Sequence, residues 1–293
     1  MELIPQGHLD ALAEQRAFAD LSSWRKVRVR GADAAQWLHD LVTADVLTLR
    51  PGHARHALLL SPTGRIRADM TVARDEDSFI LLQAPDQPDH VGLLLGPYTL
   101  SSDVLLEDAS TSHLLFAVLD GAAKRVGLPG LEPSVLGPGL DVITPSGKPA
   151  RRVEDMLVKK QLTEVGDPAL ETRRIRLGIP RMGVDYAPEA LPAEVGLEDA
   201  IDRHKGCFLG QESLAKVMNL GHPASTLRHL RADAPVYAGT SVGDGSGTSG
   251  IVTSAASDGR GGAFLFARVP WTARVASLRT TDHVPLSDVN GSH

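Results

Sequence analysis

Lys205, Cys207, Gln211 and Glu212 fall within one octet, Lys-Gly-Cys-Phe-Leu-Gly-Gln-Glu, and Cys207 is the only cysteine in 293 residues. A thiol reacts as its thiolate, and a nearby lysine and a helix N-terminus both favour that charged form. The octet predicts such a helix: Leu214, Val217 and Met218 recur at helical spacing from about Gln211 onward. Gly210 can serve as its N-cap, and Glu212 falls in the first turn, where the helix dipole favours an anion. The same turn gathers a cation and free backbone N–H groups, which together make an anion site. The competing reading makes Cys207 a small buried apolar residue and Lys205 a surface charge. The density of Lys, Gly, Gln and Glu around the thiol favours the functional reading.

Counting sets other chemistries aside. One cysteine leaves no internal disulfide and no cysteine-ligated metal centre within one chain. Eleven histidines are present, but no H-E-x-x-H or C-x-x-C occurs. His53 and His56, three apart on a predicted strand, point to opposite faces, so no metal site is expected. Gly245 to Gly250 satisfies G-x-G-x-x-G, yet Ile251-Val252-Thr253 reads as a strand where a dinucleotide site requires a helix. A hairpin loop is expected there. Asn290-Gly291-Ser292 is a glycosylation sequon without a secretory route.

Composition bounds the class. With 42% apolar and 23% charged residues the chain reads as soluble and globular, and its length suggests two or three domains. A net charge of -6 with scattered arginines argues against a nucleic-acid partner held by bulk charge. The early acidic residues Glu2, Asp10 and Glu14 do not fit a signal peptide, and no apolar run approaches membrane-span length. A cytoplasmic monomer is the default expectation.

The elements that must position these groups are legible in outline. A strand is expected over residues 23–30, then a helix capped by Asp33 whose Trp37, Leu38 and Leu41 form a core stripe. A β-meander follows: His56 to Leu60, a turn at Ser61-Pro62-Thr63-Gly64, Arg65 to Ala73, and Phe79 to Gln83. Helical patterns at Asp86 to Tyr98 and near Ala122 to Val126 alternate with strands at Val104 to Glu107 and Leu114 to Leu119. Two strand–helix–strand passes suggest a ferredoxin-like α+β unit. One short strand, Leu140 to Thr144, lies in a Gly/Pro-rich stretch. Helices are expected at Val153 to Leu162 and from Asp167 to Leu177, the second ended by Gly178 and Pro180, with Glu171 and Arg174 placed to pair. β-Prone runs at Thr226 to Ala232, Gly250 to Thr253, Ala263 to Arg268 and Ala273 to Leu278 suggest a small β-barrel.

These residues carry a resemblance. Lys205 to Glu212 is similar to the K-G-C-[YF]-x-G-Q-E signature of YgfZ-type folate-binding proteins, relatives of the aminomethyltransferase (T protein) of the glycine cleavage system. Arg174 to Pro180, Gly183-Val184-Asp185 and Pro192 to Leu197 resemble the family's R-x-x-x-G-I-P, G-x-D and P-x-E-x-G-L blocks, in order. Gly31 to Asp45 and Gly64 to Asp69 resemble its N-terminal blocks. The resemblance implies an α+β, three-domain ring: residues 1–52 with 140–222 as the first domain, 53–139 as a ferredoxin-like insertion, and 223–293 as a C-terminal β-barrel. It also implies tetrahydrofolate, or a one-carbon derivative, as the cofactor.

A pterin's 2-amino-4-oxo edge presents two adjacent N–H donors, which one carboxylate accepts in bidentate fashion. Glu194 and Asp69 are the candidates; the alternative for Asp69 is a surface ion pair with Arg65 or Arg67. The anionic folate tail suits Lys205, the helix start at Gln211 and Glu212, or Arg268. Cys207, Lys205 and Asp69 are the candidate catalytic residues. The resemblance implies an accessory protein for assembly or repair of iron–sulfur enzymes, with iron–sulfur proteins or their assembly machinery as partners. The alternative is an aminomethyltransferase or folate-dependent demethylase. Two departures weigh against it: the T-protein pattern has paired aspartates where this chain has Ala68-Asp69, and it lacks Cys207 and Gln211.

Overall fold

A computed structural model describes residues 4–245 and 249–289, with the side chains of 217–220 left aside. The chain divides into two compact units. One comprises the chain up to Leu60, Arg67–Ala169 and Ala200–Leu209; the other comprises Ser61–Ile66, Leu170–Asp199 and the chain from Gly210 onward.

The first unit runs through α1 (Gln6–Ala13), β1 (Ala17–Asp20), β2 (Arg25–Arg30), α2 (Ala34–Leu41), β3 (Ala54–Leu60), β4 (Ile66–Asp75) and β5 (Ser78–Gln83). It continues with α3 (Val91–Leu95), β6 (Leu105–Asp108), β7 (His113–Leu119), α4 (Ala123–Val126), β8 (Gly139–Pro145), α5 (Lys148–Lys159) and β9 (Thr163–Glu164). Two sheets result, in the orders β3-β4-β5-β2-β6 and β8-β7-β1-β9. β5 is buried at every position, whereas β4 alternates, burying Ile66, Ala68, Met70 and Val72. A central strand covered on both faces needs the first pattern, and a half-covered strand needs the second. The apolar stripe of α2 packs Trp37, Leu38 and Leu41 with Val27, Val29, Phe79 and Leu81. Leu38 is fully buried, worth about 2 kcal/mol of transfer free energy. Trp37 satisfies its one polar atom by donating Nε1–H to the Tyr98 carbonyl at 2.8 Å.

Several expectations shift. Asp33 stands at the head of α2 but makes no cap bond there; its carboxylate accepts from the Asp103 N–H at 2.8 Å. Residues 53–139, expected as one inserted unit, contribute to both sheets: β5 pairs with β2, and β7 with β1 and β8. An apolar pattern identifies a strand, not its neighbours. Asp86 to Tyr98 is helical only over α3 and a 3-10 turn, Gly96–Thr99. α5 starts ahead of Val153, because Gly147 turns the chain at φ +86° and Pro149 suits a first helical turn.

The second unit takes in most of α6 (Asp167–Arg176), α7 (Pro192–Val195) and α8 (Gln211–Leu220). Its strands are β10 (Ser225–Ala232), β11 (Ser241–Gly243), β12 (Ser249–Ser257), β13 (Ala263–Pro270), β14 (Arg279–Thr280) and β15 (Leu286–Asp288). They form one sheet in the order β14-β11-β12-β13-β10-β15. A bridge between Arg279 and Pro285 joins its two edges, around Leu230, Val252, Leu265, Leu278 and Leu286. Ala273 to Leu278, expected as a strand, instead holds a 3-10 turn at Val275–Ser277. β11 and β12 pair antiparallel, and Ser249 and Gly250 of the Gly245–Gly250 stretch already belong to β12, while 246–248 lie outside the described residues. The sequon at Asn290 and the side chains of Val217 and Met218 also lie outside them, while Leu214 is buried. Among the described residues no helix is long and apolar enough to cross a membrane.

Candidate functional site

The cysteine turn lies against the C-terminal end of α2. Leu209 N–H donates to the Asp40 carbonyl and Asp202 N–H to the Thr43 carbonyl, each at 3.0 Å. Between these anchors the Lys205 ammonium donates to the carbonyls of His39, Val42 (2.5 Å) and Ala44 (3.1 Å), and stands 5.2 Å from the centre of the Phe208 ring. A helix leaves its last carbonyls unpaired, and its dipole there favours a cation. Burial lowers Lys205 to about 8, against the pull of Asp45, Asp40 and Asp202. The ammonium thus holds the turn on α2.

Pinning Lys205 inward leaves Cys207 outward. The thiol is exposed and lines an open cavity of about 360 Å³ with Gln36, His39, Asp40, Gly206 and Phe208. His39 is a residue that the sequence reading passed over. Its signal is helical: Gln36, His39 and Asp40 lie three and four apart on one face of α2.

Asp69 sits on β4 with its carboxylate 2.5 Å from His56 Nε2. His56 is thus one partner of this carboxylate. Burial disfavours the imidazolium, but the charge and hydrogen bond of Asp69 outweigh it and raise the His56 pKa. His56 and Asp69 stand nearly equidistant from the turn between β3 and β4, a hairpin relation that the sequence contains.

In the second unit, Glu194 and Arg268 come together. Both line a cavity of about 190 Å³ with Asp185, Tyr186, Ser225 and Leu227. Glu194 is held at the head of α7 by the Leu191 N–H, which donates to its Oε2 at 2.9 Å. Arg268 projects from β13 and donates to the Asp185 carbonyl at 3.1 Å. Asp185 fixes that wall from inside. Its fully buried carboxylate accepts from Arg174 at 2.6 Å and from the Arg181 N–H at 3.0 Å through Oδ2. Oδ1 accepts from the hydroxyls of Thr253 (2.7 Å) and Ser254 (2.6 Å) on β12. Glu171 completes the network at 2.5 Å from Arg174, the expected i,i+3 pair. Gln211 and Glu212 are not among the residues lining this cavity. They open α8 behind Gly210, whose φ of +81° makes the turn. α8 is seated by Ser213 Oγ–H donating to the Pro62 carbonyl at 2.7 Å. Gly64 approaches so closely that a Cβ there would stand 2.8 Å from Leu214 N.

Residues 5–126 match the GCVT N-terminal domain. The chain is 24% identical over 261 residues to a chloroplastic protein of Arabidopsis thaliana that bears the name of a transferase, a match to 80% of this chain. The chain spans 60% of that relative's length. It is 25% identical over 264 residues to an aminomethyltransferase of Mycobacterium leprae, covering 78% of this chain and 71% of the relative. The crystal structure of glycine cleavage system aminomethyltransferase T from Bartonella henselae matches with a TM-score of 0.82 at 22% identity, over 97% of this chain and 88% of that one. At that identity the likeness establishes a shared mixed α/β fold. The matched domain holds His39, Asp45, His56 and Asp69, whereas Glu194, Cys207 and Arg268 lie beyond it.

Proposed function

We propose that this chain binds a reduced folate, tetrahydrofolate or a one-carbon derivative, and serves as a YgfZ-type accessory protein in iron–sulfur enzyme assembly or repair. The observation that carries the folate reading is the pairing of Glu194 and Arg268 in one cavity. Glu194 would accept the two N–H donors of the pterin edge, and the Arg268 guanidinium would offset the negative charge of the folate tail. The cavity, at about 190 Å³, is smaller than those that enclose whole drug-sized ligands, so it encloses only part of the cofactor. Gln211 and Glu212 stand at the start of α8. The exposure of Cys207 supports the thiol part of the reading. A cytoplasmic setting belongs to the same reading.

Calorimetry of the purified chain with tetrahydrofolate is expected to give a dissociation constant of roughly tens of micromolar or tighter. Glu194→Gln should weaken it. Absence of heat with every reduced folate removes the cofactor. Cys207→Ser should fold normally yet fail to restore iron–sulfur enzyme activity in a deficient strain; full restoration would reduce the thiol to packing.

A second reading, aminomethyl transfer, is favoured by the names of the relatives. The single aspartate at Ala68-Asp69, already engaged with His56, counts against it. Turnover with a lipoyl carrier bearing an aminomethyl group and tetrahydrofolate would reverse the ranking.

A further inference from the structure

The cavity over Cys207 contains a base as well as a thiol. His39 is only 5% exposed, yet it lines that cavity. Its Nδ1 lies 3.3 Å from Asp45 Oδ1 and makes no hydrogen bond to any described residue. Nε2 is turned toward the cysteine turn: a Cβ on Gly206 would stand 3.7 Å from it. Asp45 is itself fixed, accepting from the Leu47 N–H at 3.0 Å and the Thr48 hydroxyl at 2.8 Å. Carboxylate and imidazole thus stand together at the cavity that Cys207 also lines, the groups by which a base and its orienting residue activate a nucleophile.

We propose that His39 is the proton acceptor for Cys207, that Asp45 positions its ring, and that the cavity admits the disulfide of a small amine-bearing thiol. The proton of Sγ–H moves to Nε2, and the thiolate forms an S–S bond to the nearer sulfur of the disulfide. The original S–S bond breaks, and the departing thiolate takes the proton back from Nε2. Cys207 is oxidised to a mixed disulfide, and half of the incoming disulfide is reduced to a thiol. Phe208 offers an apolar wall to the methylene groups, and Asp40 offers a counter-charge to the amine. With no second cysteine in the chain, the adduct persists until another thiol resolves it.

The charges around the imidazole agree with this role. Burial acts first and Lys205 adds to it, against Asp45, Asp40 and Asp202, and the net effect lowers the His39 pKa. The ring is therefore neutral near neutrality and able to accept a proton. This inference takes up the thiol of the proposed function but requires no folate, and its test is run without one.

Cystamine is the probe. Adduct formation is followed by mass spectrometry at about pH 6.5 and about pH 9.5 for the wild-type chain, H39N, D45N, and the wild-type chain unfolded in urea, with C207S as the blank. At the lower pH the folded wild type should react at least about tenfold faster than the unfolded chain, the low end of what a positioned base contributes. H39N should fall to the unfolded rate and D45N part of the way, and all should converge at the higher pH, where hydroxide replaces the base. Equal rates for folded and unfolded wild type at the lower pH overturn the proposal, as does an H39N chain that keeps the advantage. Should H39N fail to fold, the folded-against-unfolded comparison decides alone. Loss of folate binding would leave all these rates where they are.

Discussion

The side-chain amide of Gln87 closes on the peptide of Asp69 from both sides, donating to its carbonyl at 2.6 Å and accepting from its N–H at 3.0 Å. The ladder between β4 and β5 begins only at Thr71 and Leu82, so Gln87 extends it by imitating a peptide unit. Gln83, fully buried, supports it by donating to Gln87 Oε1 at 3.1 Å. A side chain thus supplies the backbone bonds that keep Asp69 level with His56.

Gln87→Leu keeps the approximate volume but leaves the peptide of Asp69 without those bonds. A loss of about 1–3 kcal/mol is expected, the cost of unpaired polar groups. The denaturant midpoint measures it, and an unmoved midpoint would show that water replaces the amide without penalty.

Asp185→Asn should be more damaging. It leaves the Arg174 guanidinium, held at 2.6 Å by Asp185, short of a counter-charge in a buried setting. Breaking a buried pair from one side costs about 3–5 kcal/mol. Adding Arg174→Met to that variant should recover part of the loss, and a strictly additive double variant would contradict the coupling.

Lys205→Met retains the aliphatic stem and removes the ammonium that three carbonyls share. The cysteine turn should detach from α2, raising the proteolysis rate near Cys207 and costing roughly 1–3 kcal/mol. Lys205→Arg should not rescue it, because a planar fork cannot reproduce three converging donor directions. Wild-type protease resistance in either variant argues against the capping role.

Asp141 supplies a pH signature. It is fully buried, and desolvation pushes its carboxyl up to about 7, although the Ser134 hydroxyl at 2.6 Å and the Val135 N–H at 2.8 Å favour the ionised form. The folded chain therefore keeps a proton that the unfolded chain has already released. Stability should fall as pH rises from the ordinary aspartate range to about 7, by on the order of 1 kcal/mol per pH unit, and then level off. Asp141→Asn should abolish that slope in a series of denaturation curves; a slope that survives the substitution would assign it to other groups.

The sequence by itself determined what neighbouring residues dictate to one another. It marked the thiol octet, the helix opening after Gly210, the Trp37 stripe, the Glu171–Arg174 pair and most of the strands, because period, turn chemistry and i,i+3 spacing act over a few residues. Only the tertiary structure decided where the charges go. It turned Lys205 onto carbonyls some 160 positions earlier in the chain, joined Asp69 to His56, placed Asp185 beneath the hydroxyls of Thr253 and Ser254, and brought His39 and Cys207 to one cavity. A buried charge must find a partner wherever packing brings one, and local pattern contains nothing of that distance. That is why the sequence names the chemical groups of this protein, while the fold assigns them their partners.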